Sequence, residues 1–254
     1  MHIFFIILSL ITFSSCSSLL KEIEKLPDPP VVEIPATEFS HCLRGFTEGF
    51  HVNSRTGVKT KWNKRGPTDN FLTPLFNFVH SQCDSNDAIF GSNNHPLDSF
   101  SHLRTELGIS SASTRKYRCA ALFELIRTSG AFESDYNWKE GRDVSASNYD
   151  LYTQEAGLFQ TSPNSHYDSV SGTWHKYLNE LVAKHGVGQV RKGSPENAKW
   201  NALMKNMEKK SVIIEHYAFM LRHNYKHYGP VIDKVNRVGV NLNRSCIKEV
   251  EGML

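Results

Sequence analysis

Residues Cys119 to Ser165 read CAALFELIRTSGAFESDYNWKEGRDVSASNYDLYTQEAGLFQTSPNS, an apolar helical pattern that runs directly into an acid, Glu133. A carboxyl group in the closing turn of a buried helix faces the negative end of the helix dipole. Ala131 and Phe132 add apolar surface beside it. Both effects disfavour ionisation and raise the pKa, the condition for a general acid near neutral pH. The chemistry this suits is proton donation to a glycosidic oxygen.

Cleavage of a glycosidic bond ordinarily uses two carboxyl groups, one on either side of the bond. Asp135, Glu140, Asp143, Asp150 and Glu155 all follow Glu133 in a polar stretch. Asp143 and Glu155 are the best-placed candidates for the second acid, Glu155 because it stands just before Gly157-Leu158-Phe159-Gln160. For each of these acids the plain alternative is a solvated loop charge. Glu124 precedes Glu133 by nine positions, about half a turn out of helical phase. It reads as a structural ion-pair partner.

Gly157 permits close approach of a ligand to the backbone, and the Gln160 amide can donate and accept hydrogen bonds. With Ser162 they are the expected sugar-holding groups. Tyr136, Trp138, Tyr149, Tyr152 and Tyr167 offer faces for stacking on sugar rings, with core packing as the ordinary alternative. Further on, Arg222-His223-Asn224-Tyr225-Lys226-His227-Tyr228-Gly229-Pro230 reads as a cleft wall rich in donors. His223 and His227 have the spacing of metal ligands on a helix, but no third ligand is evident. No metal and no cofactor is expected.

These residues need helices to hold them. The central helix begins near Thr114 or Arg115 and presents Cys119, Leu122, Phe123, Ile126 and Gly130 at helical steps. Asn70–Val79 predicts a short helix with Pro74 in its first turn. Leu97–Leu107 predicts another. A stripe of Trp174, Tyr177, Leu178, Leu181 and Val182 is stopped by Gly186, and Ser194-Pro195-Glu196 starts a further helix. Ser211–Tyr228 is expected to be the longest. His41–Arg65 reads as irregular or weakly β, and a small antiparallel excursion is expected within Tyr136–Leu158. The fold class is mainly α (α+β).

The chain has 254 residues and a net charge of +3, from 29 basic and 26 acidic residues, too mild to suggest nucleic acid. Residues 1–15 resemble an export signal, with an apolar run from Ile3 to Phe13 too short to span a bilayer. Phe13-Ser14-Ser15-Cys16 resembles a lipoprotein processing site, which would anchor the chain to a membrane through Cys16. The alternative is an ordinary signal whose removal takes Cys16 away. Residues 16–38, with Pro27, Pro29, Pro30 and Pro35, read as a tether, and 39–254 as one domain, expected to act as a monomer. Cys42, Cys83, Cys119 and Cys246 remain, an even set that in an exported chain predicts two disulfides with three possible pairings.

The pair Glu133-Ser134, a polar stretch, and then Gly157-Leu158-Phe159-Gln160 resembles the lytic transglycosylase and goose-type lysozyme superfamily. That family has Glu-Ser at a helix end and Gly-Leu-Met-Gln at the start of a substrate-lining segment. The resemblance covers roughly Ala120 to Ser165. It implies a lysozyme-like helical domain with its β excursion beside the cleft, Glu133 as the catalytic acid, and Ser134 and Gln160 shaping the sugar site. Phe159 departs from the usual Met, the intervening stretch is longer and more acidic, and the family's downstream aromatic motif has only Tyr217, Tyr225 and Tyr228 as candidates.

The added acids suit a sugar carrying a free ammonium. In that respect the chain looks similar to the deacetylation-specific lysozymes of predatory bacteria, and more distantly to chitosanases. The resulting expectation is a secreted, periplasmic or lipid-anchored glycosidase acting on peptidoglycan glycan strands. Glu133 would be the acid, Asp143 or Glu155 the second carboxylate, and Ser134, Gln160, Ser162, Tyr152 and Tyr225 the sugar contacts. Two alternatives remain: a lytic transglycosylase using Glu133 alone, and a wall-binding lipoprotein without catalysis.

Overall fold

Thr114 takes an extended conformation after a turn, and its hydroxyl accepts the Tyr117 amide at 3.0 Å, starting the helix that organises everything else. The computed structural model describes residues 39–52, 58–92, 98–141, 150–168, 173–223 and 238–254. In chain order the elements are α1 (His41–Arg44), β1 (Thr47–Val52), β2 (Lys59–Lys64), α2 (Asp69–Gln82), α3 (Asp87–Phe90), α4 (Ser99–His102), α5 (Arg104–Leu107), α6 (Arg115–Ser134), α7 (Pro163–Asp168), α8 (Thr173–Ala183), α9 (Glu196–Met204), α10 (Lys210–His223), β3 (Val238–Val240) and α11 (Arg244–Met253). The chain is mainly helical with one small antiparallel sheet in the order β2-β1-β3.

α6 is the central helix, and every residue from Cys119 to Ala131 is buried. A helix enclosed on all sides has no solvated face for its polar residues, so each must find a partner inside. Glu124 and Arg127 pair at 2.7 and 2.8 Å, confirming the structural role expected of Glu124. Arg127 also reaches the Thr47 hydroxyl at 3.1 Å, and the Asn243 amide donates to Glu124 at 3.0 Å. One buried ion pair thereby fixes β1 and the start of α11 against α6. Thr128 and Ser129 return their hydroxyls to the carbonyls of Glu124 and Leu125 at 2.9 and 2.8 Å.

α2, α10 and α11 pack around α6. Gly130 admits the Phe71 ring of α2, since a Cβ there would lie 3.2 Å from it. Cys83 bonds Cys119, tying the end of α2 to α6, and Cys42 bonds Cys246, tying α1 to α11. Of the three possible pairings, this one joins cysteines whose Cα atoms are 5.5 and 5.8 Å apart. The cysteines of these bonds are 36 and 204 residues apart in sequence. Loop-closure entropy makes them worth about 4 and about 5 kcal/mol respectively.

Several expectations are corrected. Among the described residues the sheet is built from Thr47–Val52, Lys59–Lys64 and Val238–Val240, while residues 142–149 of the Tyr136–Leu158 stretch lie outside them. Among the described residues of that stretch, only an isolated bridge at Ala156, to Thr161, has β pairing. The Asn70–Val79 helix is longer, and Pro74 lies inside it rather than in its first turn. Proline there removes the donor that the Asn70 carbonyl would otherwise receive, and the Lys210 ammonium approaches that carbonyl at 3.4 Å. Leu97–Leu107 divides into α4 and α5. The longest helix among the described residues is α6; α10 is described from Lys210 to His223, and the rest of the expected Ser211–Tyr228 helix lies outside the described residues.

Candidate active site

Glu133 stands in the last turn of α6. The helix then ends on Asp135 in the left-handed conformation, with the Asp135 and Tyr136 amides bonded back to Ala131 at 3.1 Å and Gly130 at 3.0 Å. Tyr136 also takes a positive φ of 65°, a costly conformation for a bulky residue. It is held there by its hydroxyl on Thr47 at 3.0 Å and its ring on Phe71, 4.9 Å between centroids. Backbone strain is thus concentrated just beyond the acid.

The Glu133 side chain keeps a partly exposed face. Burial raises its pKa most, the charge of Glu155 adds to it, and the result is about 8, against an ordinary value of 4.5. The sequence argument named the helix dipole and apolar neighbours. The structure adds a second carboxylate within electrostatic reach, and that carboxylate is Glu155. Asp143, the other candidate, lies outside the described residues, as do Tyr149, Tyr225 and His227. Asp135 and Asp150 are exposed, and Asp150 caps the Tyr152 amide at 3.0 Å.

The Gly157-Leu158-Phe159-Gln160 segment forms a tight turn. Gly157 has a φ of 73°, and a Cβ on it would lie 2.0 Å from the Met204 carbonyl oxygen. Its close approach is therefore to the end of α9, not to a ligand, which corrects the role expected of it. Gln160 takes a φ of 43° and its amide nitrogen donates to the Gly157 carbonyl at 2.9 Å. Leu158 and Phe159 are buried, and Phe159 stacks on Tyr217 of α10 with centroids 4.0 Å apart and planes 3° from parallel.

Tyr217 completes the arrangement. Burial, and then the charge of Glu133, push its phenol well above the ordinary value, tempered by the Ser129 hydroxyl. Glu133 on α6, Tyr217 on α10 and the turn carrying Phe159 thus form one connected unit. The sequence named Tyr217 only as a candidate for a downstream aromatic motif. Its position on the face of α10 that packs toward α6 was the available signal.

The remaining expected contacts lie elsewhere. Ser162 is 4% exposed and gives its hydroxyl to Asn164 at 2.6 Å, so it organises the start of α7 rather than an open groove. Ser134 directs its hydroxyl into the protein, where it makes no hydrogen bond among the described residues. Tyr152 is buried, and Trp138 is buried under the Lys210 ammonium, 5.4 Å from its ring. Both act as core aromatics here. His223 sets a ring nitrogen 2.6 Å from the Ala88 carbonyl. Among the described residues no cluster of His, Cys, Asp or Glu has the makings of a metal site.

Comparison with protein-family models, curated proteins and solved structures returns no match, so the site is read from its own chemistry.

Proposed function

We propose that this chain is an exported, lysozyme-like glycosidase that cleaves β-1,4 bonds in the glycan strands of peptidoglycan. The observation that carries the reading is a single carboxyl group, Glu133, held protonated near neutral pH at the closing turn of a buried helix with Glu155 in electrostatic contact. With a pKa of about 8, roughly nine in ten Glu133 side chains carry the proton at pH 7. The O–H of Glu133 protonates the leaving oxygen as the bond to the anomeric carbon breaks. Glu155 then faces a sugar with developing positive charge, and either activates water or stabilises that charge.

The same pair favours release of the proton as the bond breaks. The charge of Glu155 keeps Glu133 neutral beforehand, and a cation forming beside them lowers the cost of ionising Glu133. Gln160, with one of its two N–H donors on the Gly157 carbonyl, offers its oxygen to a sugar N–H or O–H. Asp135, two positions beyond Glu133 and exposed, adds negative charge to that end of α6. That field favours a de-N-acetylated sugar with its ammonium over the neutral acetamido form. Two disulfides support export, and anchoring through Cys16 is part of the same proposal.

The test is digestion of purified peptidoglycan, acetylated and deacetylated, by the wild type and by Glu133→Gln. The wild type is expected to release soluble fragments that have gained one water, faster from the deacetylated wall. Glu133→Gln is expected to lose about 10²–10⁴-fold in rate. Fragments with anhydro ends and no added water would instead assign a lytic transglycosylase. Clearing by Glu133→Gln at the wild-type rate refutes the assignment, and binding without cleavage by the wild type leaves a wall-binding protein.

A further inference from the structure

The end of α6 needs only one left-handed residue to stop, and Asp135 supplies it at a φ of 54°. Tyr136 adopts a second, at 65°, where a bulky side chain is disfavoured. A residue keeps such a conformation only when its surroundings over-determine it, and positions of this kind gather at functional sites.

The surroundings of Tyr136 are specific. Its ring packs on Phe71 of α2 with centroids 4.9 Å apart, and a Cβ on Gly130 would stand 3.3 Å from it. Its hydroxyl meets the Thr47 hydroxyl of β1 at 3.0 Å. Thr47 is buried and also accepts Arg127 Nη1 at 3.1 Å. Arg127 is held in turn by both Glu124 oxygens at 2.7 and 2.8 Å, and Glu124 accepts the Asn243 amide at 3.0 Å. An unbroken chain of hydrogen bonds thus runs from the start of α11, through α6 and β1, to the residue three places beyond Glu133. A satisfied buried network of this kind is rigid.

The network meets α6 where helices ordinarily fray. Fraying here would admit water to Glu133 and to Ser134 beside it. The Ser134 hydroxyl is instead shut away from solvent with no hydrogen bond among the described residues. A loose helix end would relieve that cost by turning the hydroxyl outward. This end of α6 is pinned.

We infer, on the reading of Glu133 as the proton donor, that Tyr136 is its positioning residue: through the Tyr136 hydroxyl, β1 holds the last turn of α6 closed around the acid. Tyr136 acts through the backbone that carries Glu133 and needs no contact with a sugar. Glu155 and Tyr217 are the titratable groups that face Glu133, and neither belongs to the network. Tyr136 therefore controls the burial and placement of the acid, not the charge beside it.

Carbon-13 NMR of the Glu133 carboxyl in the intact chain, with peptidoglycan digestion at pH 5, tests this. Tyr136→Phe keeps the ring and deletes the hydroxyl. Thr47→Val deletes the other half of the same contact, and Thr47→Ser restores it. The first two variants are expected to lower the Glu133 midpoint from about 8 to about 7 or below, as water reaches the acid, with Thr47→Ser at the wild-type value. At pH 5 a midpoint of about 7 still leaves the acid protonated, so the rate there reads placement alone, and a loss of about tenfold or more is expected in the same two variants. Thr114→Ala removes the cap at the far end of α6, which lowers stability without moving the acid, and should leave both readouts unchanged. Should Tyr136→Phe fail to fold, Thr47→Val set against Thr47→Ser decides the matter. With a wild-type midpoint near 8, an equal fall in Thr114→Ala, or no change of midpoint or of rate in Tyr136→Phe and Thr47→Val, overturns this inference and leaves the acid standing. A wild type that titrates near 4.5 removes the acid, and both readings with it.

Discussion

Replacing Glu133 by glutamine should stabilise the protein while removing its acid, and the gain should depend on pH in a defined way. The Glu133 carboxyl titrates at about 8 in the folded chain against 4.5 ordinarily. A carboxyl whose folded pKa is raised holds more protons folded than unfolded, so stability falls as pH rises between the two values. Below pH 4 both states are protonated and the cost is near zero. At pH 7 the full shift corresponds to about 3 kcal/mol, and above pH 9 to nearly 5 kcal/mol.

The side chain is partly exposed, so solvent screening reduces these figures, and about 2 kcal/mol at pH 7 is the expected gain. Glutamine has the size of the protonated acid and no charge to bury. For a domain of about 216 residues, 2 kcal/mol raises the melting temperature by roughly 4–8 °C. Thermal melts of wild type and Glu133→Gln at pH 4, 7 and 9 give the comparison. The difference should be negligible at pH 4 and grow with each step. A constant difference across pH, or a variant less stable than wild type at pH 9, refutes the reasoning about burial.

Three further outcomes follow from the same geometry. Glu155→Gln removes the like charge that helps to raise the Glu133 pKa, so the alkaline limb of the activity profile should move to lower pH; an unmoved limb would separate the two carboxylates. Gly157→Ala must hold a φ of 73° and place a Cβ against the Met204 carbonyl, so denaturant melts should show a loss of roughly 2–5 kcal/mol. Asp98→Asn leaves the fully buried Arg222 without its counter-charge, and equilibrium unfolding should register a loss of about 3–5 kcal/mol.

What the sequence disclosed depends on how local each signal was. The apolar spacing of Cys119, Leu122, Phe123 and Ile126 located α6 because a buried helix repeats itself along the chain. Helical phase alone separated Glu124 from Glu133, and the buried pair with Arg127 bears that out. The sheet was less legible. TEGFHV and KTKWNK are polar strands with little apolar alternation, and their third partner, Val238–Val240, lies far away in sequence.

Disulfide pairing and the contact between Phe159 and Tyr217 join distant segments in the same way. Pro74 was misplaced because proline's preference for a first turn yields when another donor, here Lys210, approaches the carbonyl it leaves open. At the site, the residue types suggested acid catalysis, but Glu155 could be linked to Glu133 only in three dimensions. Ser162 and Trp138 had suitable chemistry for sugar contact, and burial assigned them to the frame instead.

The most direct measurement is carbon-13 NMR of the Glu133 carboxyl in the intact chain, followed from pH 4 to 10 and assigned through Glu133→Gln. A midpoint near 8 is the predicted result. A midpoint near 4.5, the ordinary glutamate value, would leave the group ionised at neutral pH and contradict its assignment as the proton donor.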